Sequence, residues 1–165
     1  MTKIAGILHN SVVDGKGLRT AIFFSGCRRA CPGCHNPEVQ DFNYGTEYDL
    51  DQIGQIIDEA IEYGDDGITL TGGHPLEPEN KDFALALAKE AHAKGLSVWL
   101  YTGYLFEQIP EMYNDLSGEC DVIVDGPFVL AQRTVELPFR GSANQRIIDV
   151  KKTFENKEVV LWNAD

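Results

Sequence analysis

The chain has 165 residues, 43% hydrophobic and 24% charged, a length that supports one self-sufficient core but not two. With 14 basic and 26 acidic residues its net charge is −12, and a surface of that sign repels phosphate backbones and anionic lipid, which argues against nucleic acid and membrane as partners. No apolar run approaches the ~18 residues of a membrane span, and the opening MTKIAGILHNSVVDGKG lacks the apolar core and cleavage site of a signal peptide, so a cytoplasmic protein is expected.

In chain order, residues 4–8 read as an edge strand and residues 20–24 as the first full strand. Residues 51–63 read as a helix, because Ile53, Ile56, Ile57, Ala60 and Ile61 recur at helical spacing, with Asp49 to cap it and Gly64 to close it. A strand over 67–71 follows, then a helix over 81–94 on the pattern Ala84, Leu87, Ala88, Ala91, stopped by Gly95. Further strands are expected over 97–102, 121–124, 146–150 and 159–162. A weaker helix falls over 106–116, with Pro110 near its start or breaking it. Strands alternating with helices imply βαβ units and a parallel sheet. At about 30 residues per unit the chain holds five or six, short of a closed eight-unit barrel. An open doubly wound sheet and a partial barrel both fit. In either, active sites gather at the C-terminal ends of strands. The loops after four successive strands are unusual: the cysteine loop, Thr71-Gly72-Gly73-His74, Tyr101-Thr102-Gly103-Tyr104 and Asp125-Gly126-Pro127.

The most informative of these is CRRACPGCHN, which places Cys27, Cys31 and Cys34 in one short loop after an apolar strand. Thiolates suit zinc or iron–sulfur centres. Zinc would want a fourth ligand, for which His35 is available, but zinc modules usually pair cysteines in two separated CxxC halves. A cubane cluster normally takes four cysteines, so three would leave one iron open. Cys120, just before an apolar strand, is expected to be a buried core residue. No Ser/His/Asp or paired-carboxylate pattern stands out in the sequence.

Read together, Gly15, Gly17, Arg19, Phe23, Gly26, Cys27, Cys31, Cys34 and Asn36 form a pattern that resembles the activating enzymes of glycyl-radical enzymes, a branch of the radical S-adenosylmethionine (SAM) superfamily. The resemblance implies a single-domain α/β partial barrel over residues 1–165, with the cluster loop after its first barrel strand. It also implies a 4Fe–4S cluster on Cys27, Cys31 and Cys34, whose open iron binds the amino and carboxylate groups of SAM. Reductive cleavage of SAM then yields a 5′-deoxyadenosyl radical that takes a hydrogen atom from the target. The same resemblance gives Gly33, Cys34, His35, Gly72, Gly73 and His74 as cofactor-binding candidates. At position 74 the family usually has an acid, and here a histidine stands in its place; a neutral imidazole accepts a hydrogen bond but supplies no countercharge. Arg19 is open to a structural ion pair or a SAM contact, and Asp125 to a SAM contact or a turn cap. Arg28 and Arg29 read as solvated loop residues, and His9 and His92 as ordinary surface or packing residues.

The chain is short and has no second cysteine cluster. Its stretches YTGYLFE, CDVIVDGPF and LPFRGSANQRIIDV are similar to activators of anaerobic (class III) ribonucleotide reductase. The implied partners are that reductase, through a glycine in its C-terminal region, and a low-potential electron donor such as flavodoxin or ferredoxin. Activation of another glycyl-radical enzyme, such as pyruvate formate-lyase, and a non-catalytic zinc-binding interaction module remain the alternatives.

Overall fold

The structure is a computed structural model that describes residues 2–29, 31–34 and 37–163. Its elements, in chain order, are β1 (Thr2–Ser11), β2 (Arg19–Phe24), β3 (Thr46–Tyr48), α1 (Ile53–Glu62), β4 (Gly67–Gly72), α2 (Lys81–Ala93), β5 (Ser97–Tyr101), α3 (Asn114–Gly118), β6 (Val122–Asp125), β7 (Arg146–Asp149) and α4 (Val150–Asn156). They build one seven-stranded sheet in the order β3-β1-β2-β4-β5-β6-β7. The four strands β2, β4, β5 and β6 run parallel, while β1, β3 and β7 pair antiparallel with their neighbours.

Register explains why the sheet buries what it does. Ile22, Leu70, Leu100 and Ile123 lie side by side across the parallel strands, so all four point to the same face. That face carries the main core, which takes residues from α1, α2, α3 and α4 alike. The opposite face is closed by a smaller cluster of Trp99, Val122, Val124 and Ile147, packed by Tyr101, Phe139 and Trp162. Trp99 meets Phe139 and Trp162 edge-on, at centroid separations of 5.3 and 5.1 Å. A doubly wound sheet carries helices on both faces; here every helix among the described residues contributes to the one main core. The doubly wound alternative does not describe this chain.

Several expectations need correction. The sheet has seven strands, against five or six expected for the barrel, and they are not the seven candidate segments: residues 46–48 add a short strand that sequence pattern alone did not mark, and residues 159–162 do not form one. Strand β1 is consequently interior to the sheet, covered by β3. The helix expected over 106–116 is instead two 3-10 turns, Phe106–Gln108 and Glu111–Tyr113, followed by the five-residue α3. Pro110 lies extended between the turns, since it has no N–H to donate and its ring collides with a preceding helical turn. Residues 159–162 make only a single bridge, Leu161 to Ile148. Ile61 is exposed rather than buried, while Ile53, Ile56, Ile57 and Ala60 form the buried stripe of α1. Phe83, absent from the expected pattern of α2, is buried in the core. The Asp49 cap is present: its side chain accepts the Asp51 N–H, and Gln52 completes a capping box.

Arg19 is the largest fully buried side chain, 1% exposed at the start of β2. It forms no ion pair among the described residues. Its guanidinium donates to the hydroxyls of Thr69 (2.8 Å) and Ser97 (2.9 Å) and to the carbonyls of Lys16, Ile68 and Ser97, and it lies over the Trp99 ring at 5.6 Å. Burial pushes its pKa down to about 10, against the pull of Asp121 and more distant groups. Of the glycines in the same motif, Gly15 makes room for this plug and Gly17 makes room for Asp66. A Cβ on Gly15 would come within 2.8 Å of Arg19 and Trp99, one on Gly17 within 2.7 Å of Asp66, and both have positive φ. The arrangement is structural, at the end of β2 opposite the cysteines.

His92, near the C-terminus of α2, holds Glu119 at 3.1 Å and Asp121 at 2.8 Å through its two ring nitrogens. The histidine therefore has a defined role, tying α2 to the start of β6. Burial alone would lower its pKa, but the hydrogen bonds and charges of Asp121 and Glu119 outweigh it and raise the value. A folded-state pKa above the unfolded ~6.5 means that this stabilisation is complete below ~6.5 and is lost as pH rises through the folded value.

Two outcomes are expected. Urea midpoints of the wild type should decline across that pH window relative to His92→Gln, whose profile should lack this component; parallel profiles would refute the assignment. Arg19→Met should lower stability by about 2–3 kcal/mol, through the buried carbonyls and hydroxyls left without a donor, which equilibrium unfolding reads directly.

Candidate metal centre

Strand β2 delivers the chain into the cysteine loop, and backbone contacts fix where that loop lies. Ser25 N–H donates to Lys3 O (2.9 Å), Gly26 N–H to Val39 O (2.7 Å) and Cys27 N–H to Gln40 O (3.2 Å). Gly26 must be glycine: its φ is +101°, and a Cβ would lie 2.2 Å from the Phe42 ring. A tight turn, Cys34 N–H to Cys31 O at 3.1 Å, brings the second and third cysteines together. All three are of intermediate exposure.

The Gly-Gly loop after β4 packs directly against this segment. Gly73 N–H donates to Phe24 O (2.7 Å) and His74 N–H to Gly26 O (2.9 Å). A Cβ on Gly72, whose φ is +98°, would meet the Phe24 backbone at 2.5 Å; one on Gly73 would meet Val39 O and Gly26 O at 2.7 and 2.8 Å. The glycines are thus required by the approach of one loop to the other.

Cys27, Cys31 and Cys34 line one open cleft together with Gly72, Gly73, His74, Thr102, Gly103, Gly126 and Arg29. The loops after β2, β4, β5 and β6 converge there, as the strand-end rule requires. No three His, Cys, Asp or Glu side chains among the described residues are arranged around a single metal ion. A cubane makes a different demand, since each thiolate binds a different iron and the sulfurs need not converge on one point. Three thiolates from one loop, on the wall of an open cleft, fit that demand.

Among the other candidate residues, Gly33 does not line the cleft; it sits in the turn with φ +74°, where a Cβ would meet Leu130 at 2.7 Å. His35 and Asn36 lie outside the described residues. Cys120 is buried and donates to Leu116 O at 3.2 Å, burial pushing its thiol pKa well up; it is a core residue, as its sequence context indicated. Asp125, fully buried, is committed to the protein itself: it accepts from Phe106 N–H (2.8 Å) and pairs with Arg146 at 2.5 Å. It anchors the loop after β5 and the start of β7. His9 stacks on Tyr63 at 3.9 Å between centroids and bonds Thr20.

Two features were missed by sequence reasoning. Arg28 is not simply solvated: it pairs with Glu77 (2.5 Å) and Glu79 (2.9 Å) and covers the Phe42 ring at 4.4 Å. Glu77, only 6% exposed, also accepts the Arg28 backbone N–H at 3.1 Å. Its buried carboxylate therefore clamps the residue after Cys27 to the loop that follows Gly73. Burial would raise the Glu77 pKa, but the hydrogen bonds from Arg28 and His74 prevail and lower it. The second feature is a chain of hydrogen bonds from Glu77 through His74 to Thr102, at 3.3 and 2.8 Å. His74 is 2% exposed, and burial lowers its pKa despite Glu77, keeping the imidazole neutral. Thr102 lies 28 residues away in sequence, so no local motif signals the pair; the acidic Glu77, three positions after His74, was the available clue.

Comparison with known proteins agrees with this geometry. The chain matches the family model described as 4Fe-4S single cluster domain over residues 13–148. A protein of Salmonella typhi is 35% identical over 138 residues, covering 81% of this chain and 90% of its own. One of Haemophilus influenzae is 34% identical over 140 residues, with 82% and 90% covered. One of Enterobacteria phage T4 is 33% identical over 137 residues, with 82% and 86% covered. Each is named anaerobic ribonucleoside-triphosphate reductase-activating protein. A match that runs from before β2 into β7 and takes in all three loop cysteines places this chain in the 4Fe-4S single cluster domain family.

Proposed function

We propose that this protein is a radical SAM activase that installs the glycyl radical of an anaerobic ribonucleotide reductase. The observation that carries the reading is the shared cleft: three cysteines of one loop and the Gly-Gly loop form its walls, in a chain about one-third identical to named activators of that reductase. The one-sided helix layer supports describing the fold as an incomplete (β/α) barrel. Residues 1–165 then act as one domain.

Cys27, Cys31 and Cys34 would hold three irons of the cluster, leaving the fourth for SAM. Cys34, Gly72 and Gly73 lie where they could bound the SAM site, with His35 beside them in sequence and Gly33 shaping the turn. When bound, the reduced cluster supplies the electron that cleaves SAM, and the resulting adenosyl radical abstracts the hydrogen of the target glycine. The protein's own work is positional. Backbone contacts hold the cysteine loop against the Gly-Gly loop, and Glu77 fixes Arg28 at the root of the loop. The open cleft admits the segment of the reductase that bears the glycine. No helix among the described residues is long and apolar enough to cross a membrane. We infer a cytoplasmic protein fed by a low-potential donor such as flavodoxin or ferredoxin.

The combined Cys27→Ser, Cys31→Ser and Cys34→Ser variant should lose iron and SAM cleavage. It should keep the far-ultraviolet circular dichroism of the wild type, because neither core includes these residues. A colourless wild type with stoichiometric zinc, unfolding when the cysteines are replaced, would instead support an interaction module. Mixed anaerobically with SAM, reductant and a class III reductase, the wild type should generate a glycyl radical detectable by electron paramagnetic resonance. A radical formed on pyruvate formate-lyase but not on the reductase would overturn the choice of partner.

A further inference from the structure

His74 occupies the position where the resemblance leads one to expect an acid, yet both its ring nitrogens are already engaged by the protein. Nδ1 faces a carboxylate oxygen of Glu77 at 3.3 Å. Nε2 faces Thr102 Oγ at 2.8 Å and receives the Gly103 N–H at 3.4 Å. A carboxylate can only accept, and the Gly103 N–H can only donate, so the proton sits on Nδ1 and the lone pair on Nε2. Thr102 must then donate its hydroxyl hydrogen to His74. Its oxygen also accepts the Tyr104 N–H at 3.1 Å. A hydroxyl has one donor and two acceptor sites, which leaves one lone pair on Thr102 Oγ, in a residue that lines the cleft beside the cysteines.

Resting on the function proposed above, the structure assigns Thr102 as the acceptor for the α-ammonium of SAM, with His74 and Glu77 as positioning residues that polarise it. Glu77 supplies the negative charge that position 74 lacks. His74, neutral and buried, passes it on as an oriented dipole, and a chain of this kind strengthens each bond in it at low local dielectric. The relay explains why a histidine is acceptable at position 74: the acid has moved behind it, and in front of it stands the hydroxyl of a residue that lines the cleft. The same carboxylate holds Arg28, so cysteine loop and amine site share one anchor.

The test measures equilibrium binding of two probes to the anaerobically reconstituted protein: SAM, and the SAM analogue with hydrogen in place of the α-amine. The wild type should prefer SAM. Thr102→Val should weaken SAM binding about tenfold or more, as expected for loss of a hydrogen bond to a charged group, and should leave affinity for the analogue unchanged. Thr102→Ser should restore the wild-type preference. Glu77→Gln, which keeps the shape but removes the charge, should show the same amine-specific loss and serves alone if Thr102→Val does not fold. Equal losses on both probes, or a Glu77→Gln variant with undiminished preference, would overturn the relay. A wild type that binds both probes equally would overturn this assignment and leave the proposed function standing. A wild type that binds neither would overturn both.

Discussion

The structure turns on the contact between two loops at the ends of neighbouring parallel strands. Strands β2 and β4 pair in parallel through Phe24 and Gly72, and at that point the β4 chain cannot carry a side chain at positions 72 and 73 without collision. A Cβ at position 72 or 73 would enter the backbone of the opposite loop at 2.5–2.8 Å, closer than atoms pack. Removing both side chains lets the backbones hydrogen-bond directly, Gly73 to Phe24 and His74 to Gly26. The cysteine loop consequently has a main-chain floor on its Gly72-Gly73 side, in the cleft that the three cysteines line. Glu77 adds a charged tie to the same junction through Arg28. The Glu77 end of that tie is buried, while the Arg28 side chain is 57% exposed, so solvent still screens the pair.

The long motif that first drew attention divides physically into two parts. Gly15, Gly17 and Arg19 serve the opposite end of the sheet, where a buried guanidinium knits β2, β4 and β5 through hydroxyls and carbonyls. Gly26 and the cysteines serve the rim. Strand β2 joins the two, so a motif that reads as one functional signature contains a structural plug and a binding loop separated by about 20 Å of extended chain. Arg19 accordingly has no ion-pair partner among the described residues, and it lies at the end of β2 away from the cysteine cleft.

Much of this was legible in the sequence because it depends on local pattern. The parallel strands announced themselves as apolar runs, α1 and α2 as helical stripes closed by Gly64 and Gly95, and the strand-end rule collected the unusual loops on one rim. Less legible features depend on partners remote in sequence. Strand β3 is three residues long and has no pattern of its own; pairing with β1 alone defines it. The fate of residues 106–116 depended on whether Pro110 would begin a helix or divide it. His92 looked incidental because Glu119 and Asp121 reach it from another element. The Glu77–His74–Thr102 chain joins the loops after β4 and β5, and only the parallel pairing of those strands brings it together.

The central claim is that the cysteine loop carries a cluster with an iron open to SAM. Electron paramagnetic resonance of the anaerobically reconstituted, reduced protein, recorded before and after addition of SAM, tests it most directly. The account predicts a reduced 4Fe–4S signal that shifts when SAM is added. A spectrum without a cluster signal, or one that SAM leaves unchanged, would contradict it.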